Sequence, residues 1–260
     1  KHQPDIVIHT AGLTNVEECE SNPDLAQEVN VDLAKNIAIA CNQQSVKLVH
    51  ISTDHLFTGN QELTTEEATV NPVNNYARTK FLGEQQVLKH CKDALIIRTN
   101  FFGWGTKYRQ SFSDFILNKL KNNKQVDLFS DVFFTPILIG ELSKRTHQLI
   151  DSNATGLFNI VSSERISKYE FGLKLANCFN LDVALINKVS INAKLNLVKR
   201  PMDMSLSNTK LCQALNCKIT SLDEQFQSLK KQEDKSATSQ VAVDIIPYGS
   251  HHIDEDDIQS

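Results

Sequence analysis

No stretch of this 260-residue chain comes near the run of about eighteen apolar residues that a membrane-crossing helix needs, so none is expected to span a bilayer. The opening residues, Lys1-His2-Gln3-Pro4, hold no apolar signal region. Positive charge is not in excess: the net charge is −4, which gives no electrostatic reason to expect a nucleic-acid partner. There is no Cys-x-x-Cys pair. The six cysteines (Cys19, Cys41, Cys91, Cys178, Cys212 and Cys217) are irregularly spaced and give no metal-binding pattern. They read as reduced, mostly buried thiols of a cytoplasmic protein, because a chain of this size does not need disulfides to fold. What remains is ordinary. Hydrophobic residues make up 40% and charged residues 22%, enough for one large α/β domain or two smaller ones.

Three short β-branched runs, Ile6-Val7-Ile8, Leu48-Val49-His50-Ile51 and Leu95-Ile96-Ile97, have the character of strands buried on both faces of a parallel sheet. Between the first two, Asn22 can cap a helix with Pro23 at its first position, and Leu25, Val29, Leu33 and Ile37 recur at a spacing of four to predict one apolar face. Residues 75–90 read as a second helix. Strand–helix alternation of this kind predicts a doubly wound α/β fold. Beyond residue 100 the pattern loosens: helices over 111–122 and 139–150, a strand over 157–160, a helix through 179 opened by Ser167 and Glu170 in capping-box spacing, a strand within 184–191 and a last helix over 222–231. This mixture predicts a smaller lobe over the carboxyl edge of the sheet. Domain boundaries follow: sheet part mainly 1–110, lobe mainly 111–232, and a polar linker over 233–243.

Tyr76-Ala77-Arg78-Thr79-Lys80 sets a phenol and an ammonium four apart, hence on one helix face. A free phenol, with a pKa of about 10, is a sluggish acid–base group, and a neighbouring cation lowers it into a useful range. Carbonyl reduction requires that tuning, because a proton must reach the developing alkoxide as hydride arrives. Alone, the pair also fits a solvated helix face. Ser52-Thr53-Asp54 adds a second signal. It directly follows the second strand, at the carboxyl end where open α/β sheets bind ligands, although by itself it also fits a turn or helix cap.

Ile51-Ser52-Thr53-Asp54-His55-Leu56-Phe57-Thr58-Gly59 resembles the Ser-Thr-Asp-Tyr-Val-Phe-x-Gly stretch of dTDP-4-dehydrorhamnose reductases, within the extended short-chain dehydrogenase/reductase group. Asn71-Pro72-Val73-Asn74-Asn75-Tyr76-Ala77-Arg78-Thr79-Lys80-Phe81-Leu82-Gly83-Glu84 is similar to the segment that carries that family's tyrosine and lysine. His9-Thr10-Ala11-Gly12, Val29-Asn30, Arg98-Thr99-Asn100-Phe101 and Lys199-Arg200-Pro201 match further elements in order, over about 230 residues.

The resemblance implies a Rossmann-like sheet with a smaller C-terminal substrate-binding lobe, NADPH or NADH as cofactor, and reduction of the 4-keto group of a deoxy nucleotide-sugar. It assigns Tyr76 as proton donor, Lys80 to tune it and hold the nicotinamide ribose, and Thr53 to the substrate carbonyl. Ala11, Gly12 and Asn30 would lie along the cofactor, and Phe101 and Arg200 would face the nucleotide-sugar. A homodimer is compatible with it. The alternatives are an epimerase or dehydratase of the same superfamily, which usually carries a Ser-Ser-x-x-Val-Tyr-Gly element instead, or a non-enzymatic regulatory subunit of the same fold.

Two departures bear on substrate choice: His55 stands where the family usually has tyrosine, and Ala77 where it has glycine. The family's Gly-x-x-Gly-x-x-Gly turn, which seats the cofactor pyrophosphate, occurs nowhere in the 260 residues. The chain is therefore expected to be an N-terminally truncated form, inactive as it stands. Asp244-Ile245-Ile246-Pro247-Tyr248 and the acidic run at 254–257 resemble the opening of pyridoxal-phosphate nucleotide-sugar aminotransferases, which implies a fused aminotransferase domain from 244 onward.

Overall fold

The computed structural model describes residues 3–106, 110–194 and 196–236. The chain opens with strand β1 (Ile6–His9), helix α1 (Val16–Ser21) and helix α2 (Pro23–Gln27), followed by a π-helical turn (Glu28–Asp32), helix α3 (Leu33–Gln43) and strand β2 (Lys47–Ile51). Helix α4 (Asn75–His90) and strand β3 (Leu95–Arg98) complete the first half. The second half carries β4 (Phe101–Phe102), α5 (Phe112–Lys121), β5 (Val126–Phe129), β6 (Phe133–Phe134), β7 (Ile137–Leu138), α6 (Ile139–Asp151) and β8 (Gly156–Asn159). Then come β9 (Ile166–Ser167), α7 (Lys168–Cys178), β10 (Ile186–Val189), α8 (Thr209–Ala214) and α9 (Leu222–Ser236).

The main sheet is parallel throughout, in the order β1-β2-β3-β8, as the buried β-branched runs require. Every residue of β3 is buried, including Arg98. Its guanidinium donates to both carboxylate oxygens of Glu84 on α4, at 3.0 and 2.8 Å, and lies over the Phe57 ring at 5.5 Å. That buried pair ties the sheet, α4 and the loop after β2 together, and losing one partner of such a pair costs about 3–5 kcal/mol.

The α2–α3 region departs from the predicted face. Pro23 takes the first position of α2, but Asn22 makes no side-chain cap bond. Leu25 and Leu33 are exposed, while Ala26, Asn30, Val31, Ala34, Ala38 and Cys41 are buried. The π turn rotates the register between α2 and α3. Close approach then selects small side chains: a Cβ on Gly83 of α4 would lie 2.4 Å from the Asn30 carbonyl oxygen.

The lobe forms around β5–β10, β6–β9 and β4–β7 pairs and an aromatic core of Phe102, Phe134, Phe171 and Phe226. Phe171 stands at its centre, 5.1–5.5 Å by ring centroid from the other three. Ser167 and Glu170 form the anticipated capping box at the start of α7. Helix α9 runs five residues past the predicted end at 231, into the segment read as a polar linker. Residues 237–260, which hold the rest of that linker and the aminotransferase-like tail, lie outside the described residues. Among the described cysteines, Cys19, Cys41 and Cys91 are buried and Cys178, Cys212 and Cys217 half-buried; all six are free thiols. No helix among the described residues is long and apolar enough to cross a membrane.

Candidate active site

Parallel pairing brings the carboxyl ends of β1, β2 and β3 to one edge of the sheet, and the segments that leave them line a cavity of about 650 Å³. Gly12 comes from the turn after β1, Ser52 to His55 from the end of β2, and Thr99 to Phe101 from the end of β3. Tyr76 and Lys80 enter from the first turns of α4, and Phe112 and Lys168 close the cavity from the lobe.

Helix α4 starts where the chemistry needs it because the Asn74 side chain accepts from the Ala77 backbone N–H at 2.8 Å. One turn separates the buried Tyr76 from Lys80. The Tyr76 ring meets His55 edge-on, with centroids 5.4 Å apart. Lys80 Nζ donates to the Ile51 carbonyl at 2.8 Å, which fixes the ammonium at the end of β2. Burial draws Lys80 down to about 8, against the opposing pull of Glu84.

Beneath Lys80, His9 and His50 are register partners on β1 and β2, with ring centroids 5.0 Å apart. Burial, aided by the Lys80 charge, lowers His9 to about 4 and His50 well below the ordinary imidazole range. His55 is likewise held neutral, at about 3, first by burial and then by the charges of Lys168 and Arg200.

Thr53 is buried at the cavity wall. Its hydroxyl donates to Asp54 Oδ1 at 3.3 Å and accepts the His55 backbone N–H at 3.3 Å. Asp54 Oδ2 accepts from Asn100 Nδ2 at 2.8 Å. Burial raises the Asp54 carboxyl and lowers the Lys168 ammonium, and each acts against the other's shift as the opposite charge.

Of the residues singled out from sequence, Thr53, Tyr76, Lys80, Gly12 and Phe101 line this cavity. Three do not. Ala11 is exposed and off the wall. Asn30 lies behind it, accepting from Leu13 N at 2.8 Å and donating to Leu13 O and Thr79 Oγ1 at 3.0 Å each, so it clamps the turn after β1 onto α4. Arg200 is buried and pairs through Nη2 with Glu17 of α1 at 2.7 Å. Asp54 and Asn100, which lie within quoted motifs but were given no role, and Lys168, which was not singled out, also line the cavity. Only the Ser167–Glu170 capping box hinted at Lys168, by placing it at the first position of α7.

A parallel sheet with a tyrosine–lysine helix and a threonine at its carboxyl edge defines a protein of the dehydrogenase/reductase type. The family model "RmlD substrate binding domain" matches residues 1–234, and the chain belongs to that family. It is 30% identical over 236 residues to the probable low-salt glycan biosynthesis reductase Agl14 of Haloferax volcanii, covering 88% of this chain and 78% of that one. It is 28% identical over 222 residues to dTDP-4-dehydrorhamnose reductase of Escherichia coli, covering 81% and 74%. The solved structure of Bacillus anthracis dTDP-4-dehydrorhamnose reductase in complex with NADP superposes with a TM-score of 0.83 at 27% identity, covering 88% of this chain and 81% of that one.

Proposed function

We propose that the protein is an NAD(P)H-dependent reductase of the keto group of a nucleotide-sugar, with a 4-keto-6-deoxy sugar as the substrate class. The observation that carries this reading is the convergence of Thr53, Tyr76 and Lys80 on one cavity at the carboxyl edge of the sheet. The residues present fit the nicotinamide–ribose end of such a cofactor. A Cβ on Gly12 would stand 3.1 Å from Asn30 Oδ1 and 3.7 Å from Lys80 Nζ, so the glycine keeps this wall open, and that ammonium uses one proton on Ile51 and keeps others for ribose hydroxyls. The bound cofactor supplies hydride to the keto carbon. The Thr53 hydroxyl turns its single proton from Asp54 Oδ1 to the carbonyl oxygen and orients it, and Tyr76 delivers the proton to that oxygen as charge develops. Lys80 stabilises the phenolate left on Tyr76.

Turnover by the full-length protein tests this directly, as oxidation of NADPH dependent on a dTDP-4-keto-6-deoxy sugar. Binding of cofactor and nucleotide-sugar without turnover would favour a regulatory subunit that keeps the fold and has lost the reaction. Ala11, Asn30 and Arg200 take indirect roles in this reading, Asn30 by holding the turn that carries Gly12. Cytoplasmic location, a homodimer and a fused aminotransferase domain belong to the same proposal. The first is supported by the free thiols, and the last by residues 244–260, with the gene sequence beyond codon 260 as its check.

A further inference from the structure

Lys168 is a charged side chain that the reaction just described does not use. It is 1% exposed and lines the cavity, with Nζ 3.8 Å from the Phe134 ring centroid and 4.7 Å from that of Phe112. Two aromatic faces hold the ammonium from the lobe side. Among the described residues it donates no hydrogen bond to protein. Asp54, the opposite charge acting on it, is 1% exposed and lines the same cavity, but the two make no direct ion pair. Asp54 accepts from Asn100 on Oδ2, and its Oδ1, which here accepts from Thr53, is released when that hydroxyl turns to a substrate carbonyl. A buried ammonium and a buried carboxylate that share a cavity without touching are costly unless a third group bridges them.

A hydroxyl can join such a pair, because its oxygen accepts from an ammonium while its proton goes to a carboxylate. The position of the hydroxyl follows from Thr53. If Thr53 holds the reducible carbonyl, the neighbouring carbon of the sugar comes to Asp54, whose Oδ1 is 3.3 Å from the Thr53 hydroxyl. We propose that Lys168 and Asp54 clamp the sugar hydroxyl vicinal to the reducible carbonyl, making Lys168 a specificity-determining residue that selects α-hydroxy keto sugars over their deoxy counterparts. This inference rests on the reductase reading for its substrate class.

The test uses the full-length protein, NADPH and two dTDP-4-keto-6-deoxy sugars, one with a C3 hydroxyl and one 3-deoxy. Wild type should prefer the hydroxylated sugar by about 10- to 100-fold in kcat/KM, the range expected for hydrogen bonds to charged groups. Lys168→Met, which keeps the packing on Phe112 and Phe134, should collapse that preference to near unity, mostly through KM. Asp54→Asn should collapse the same ratio, and it decides the matter if the methionine variant fails to fold. An unchanged preference in the folded variants would overturn the clamp, because a residue that only balances charge or fills space affects both sugars alike. If wild type turns over neither sugar, the reductase reading fails on its own, and calorimetric Kd values for the two nucleotide-sugars take over as the test. A preference lost in Lys168→Met would uphold the clamp, and equal wild-type affinities would reject it.

Discussion

At the scale of single residues, the site is governed by what burial does to charge. Lys80 is held at about 8 by burial, so its ammonium is present below that pH and lost above it. Its loss removes the cation that stabilises the Tyr76 phenolate, so kcat should decline as pH rises through about 8, a limb visible in a pH–rate profile. Lys80→Met should weaken both turnover and cofactor affinity and abolish that limb. The buried imidazoles act on stability instead. His9, His50 and His55 take up protons less readily folded than unfolded, so below pH 6.5 the unfolded chain binds more protons and stability falls with pH. Asp54 and Glu66, both raised by burial, work in the opposite direction and are outnumbered by the three imidazoles. For His9 and His55 the expected loss at pH 5 is about 1–2 kcal/mol each, read from denaturant midpoints between pH 7 and pH 5. An unchanged midpoint over that range would contradict neutral burial of the histidines.

At the scale of elements, the contact between α4 and the π turn before α3 sets the site geometry, because α4 carries Tyr76 and Lys80 while Asn30 holds the turn after β1. Gly83→Ala would force a Cβ against the Asn30 carbonyl, where backbone must shift. A loss of about 1–3 kcal/mol in stability is expected, together with weaker cofactor binding in the full-length protein. Wild-type values for both would show that the packing tolerates a methyl group. The strands and α4 were legible because their periodicity and caps are local: Asn74 caps α4, and the β-branched runs need burial on both faces. The face of α2 and α3 was not legible. Leu25 and Leu33 have the regular spacing, but the π turn shifts the register, and the smaller Ala34 and Ala38 are buried instead. Short lobe strands such as Phe133–Phe134 and Ile166–Ser167 pair Phe133 with Ser167 and Phe134 with Ile166, far apart in the chain, which no local pattern announces. Within the site, Thr53, Tyr76 and Lys80 came from motif and spacing, whereas the inward turn of Lys168 depends on the tertiary meeting of lobe and sheet.

At the scale of the whole molecule, β1 pairs on one side only among the described residues, and Ile6 and Ile8 are 38% and 44% exposed. An unpaired apolar edge invites association, and no glycine-rich turn in the 260 residues supplies a pyrophosphate seat. Residues 1–260 alone should therefore self-associate and bind NADPH more weakly than the micromolar range; micromolar affinity by titration would contradict this. The larger account joins sheet, α4 and lobe into one reducing site whose proton comes from Tyr76. Its most direct test is Tyr76→Phe in the full-length protein, assayed on a dTDP-4-keto-6-deoxy sugar at saturating NADPH. The account predicts a fall in kcat of about 10²–10⁴ with cofactor affinity nearly unchanged, because the ring still packs against His55 while the proton is gone. Reduction at the wild-type rate by the phenylalanine variant would contradict it.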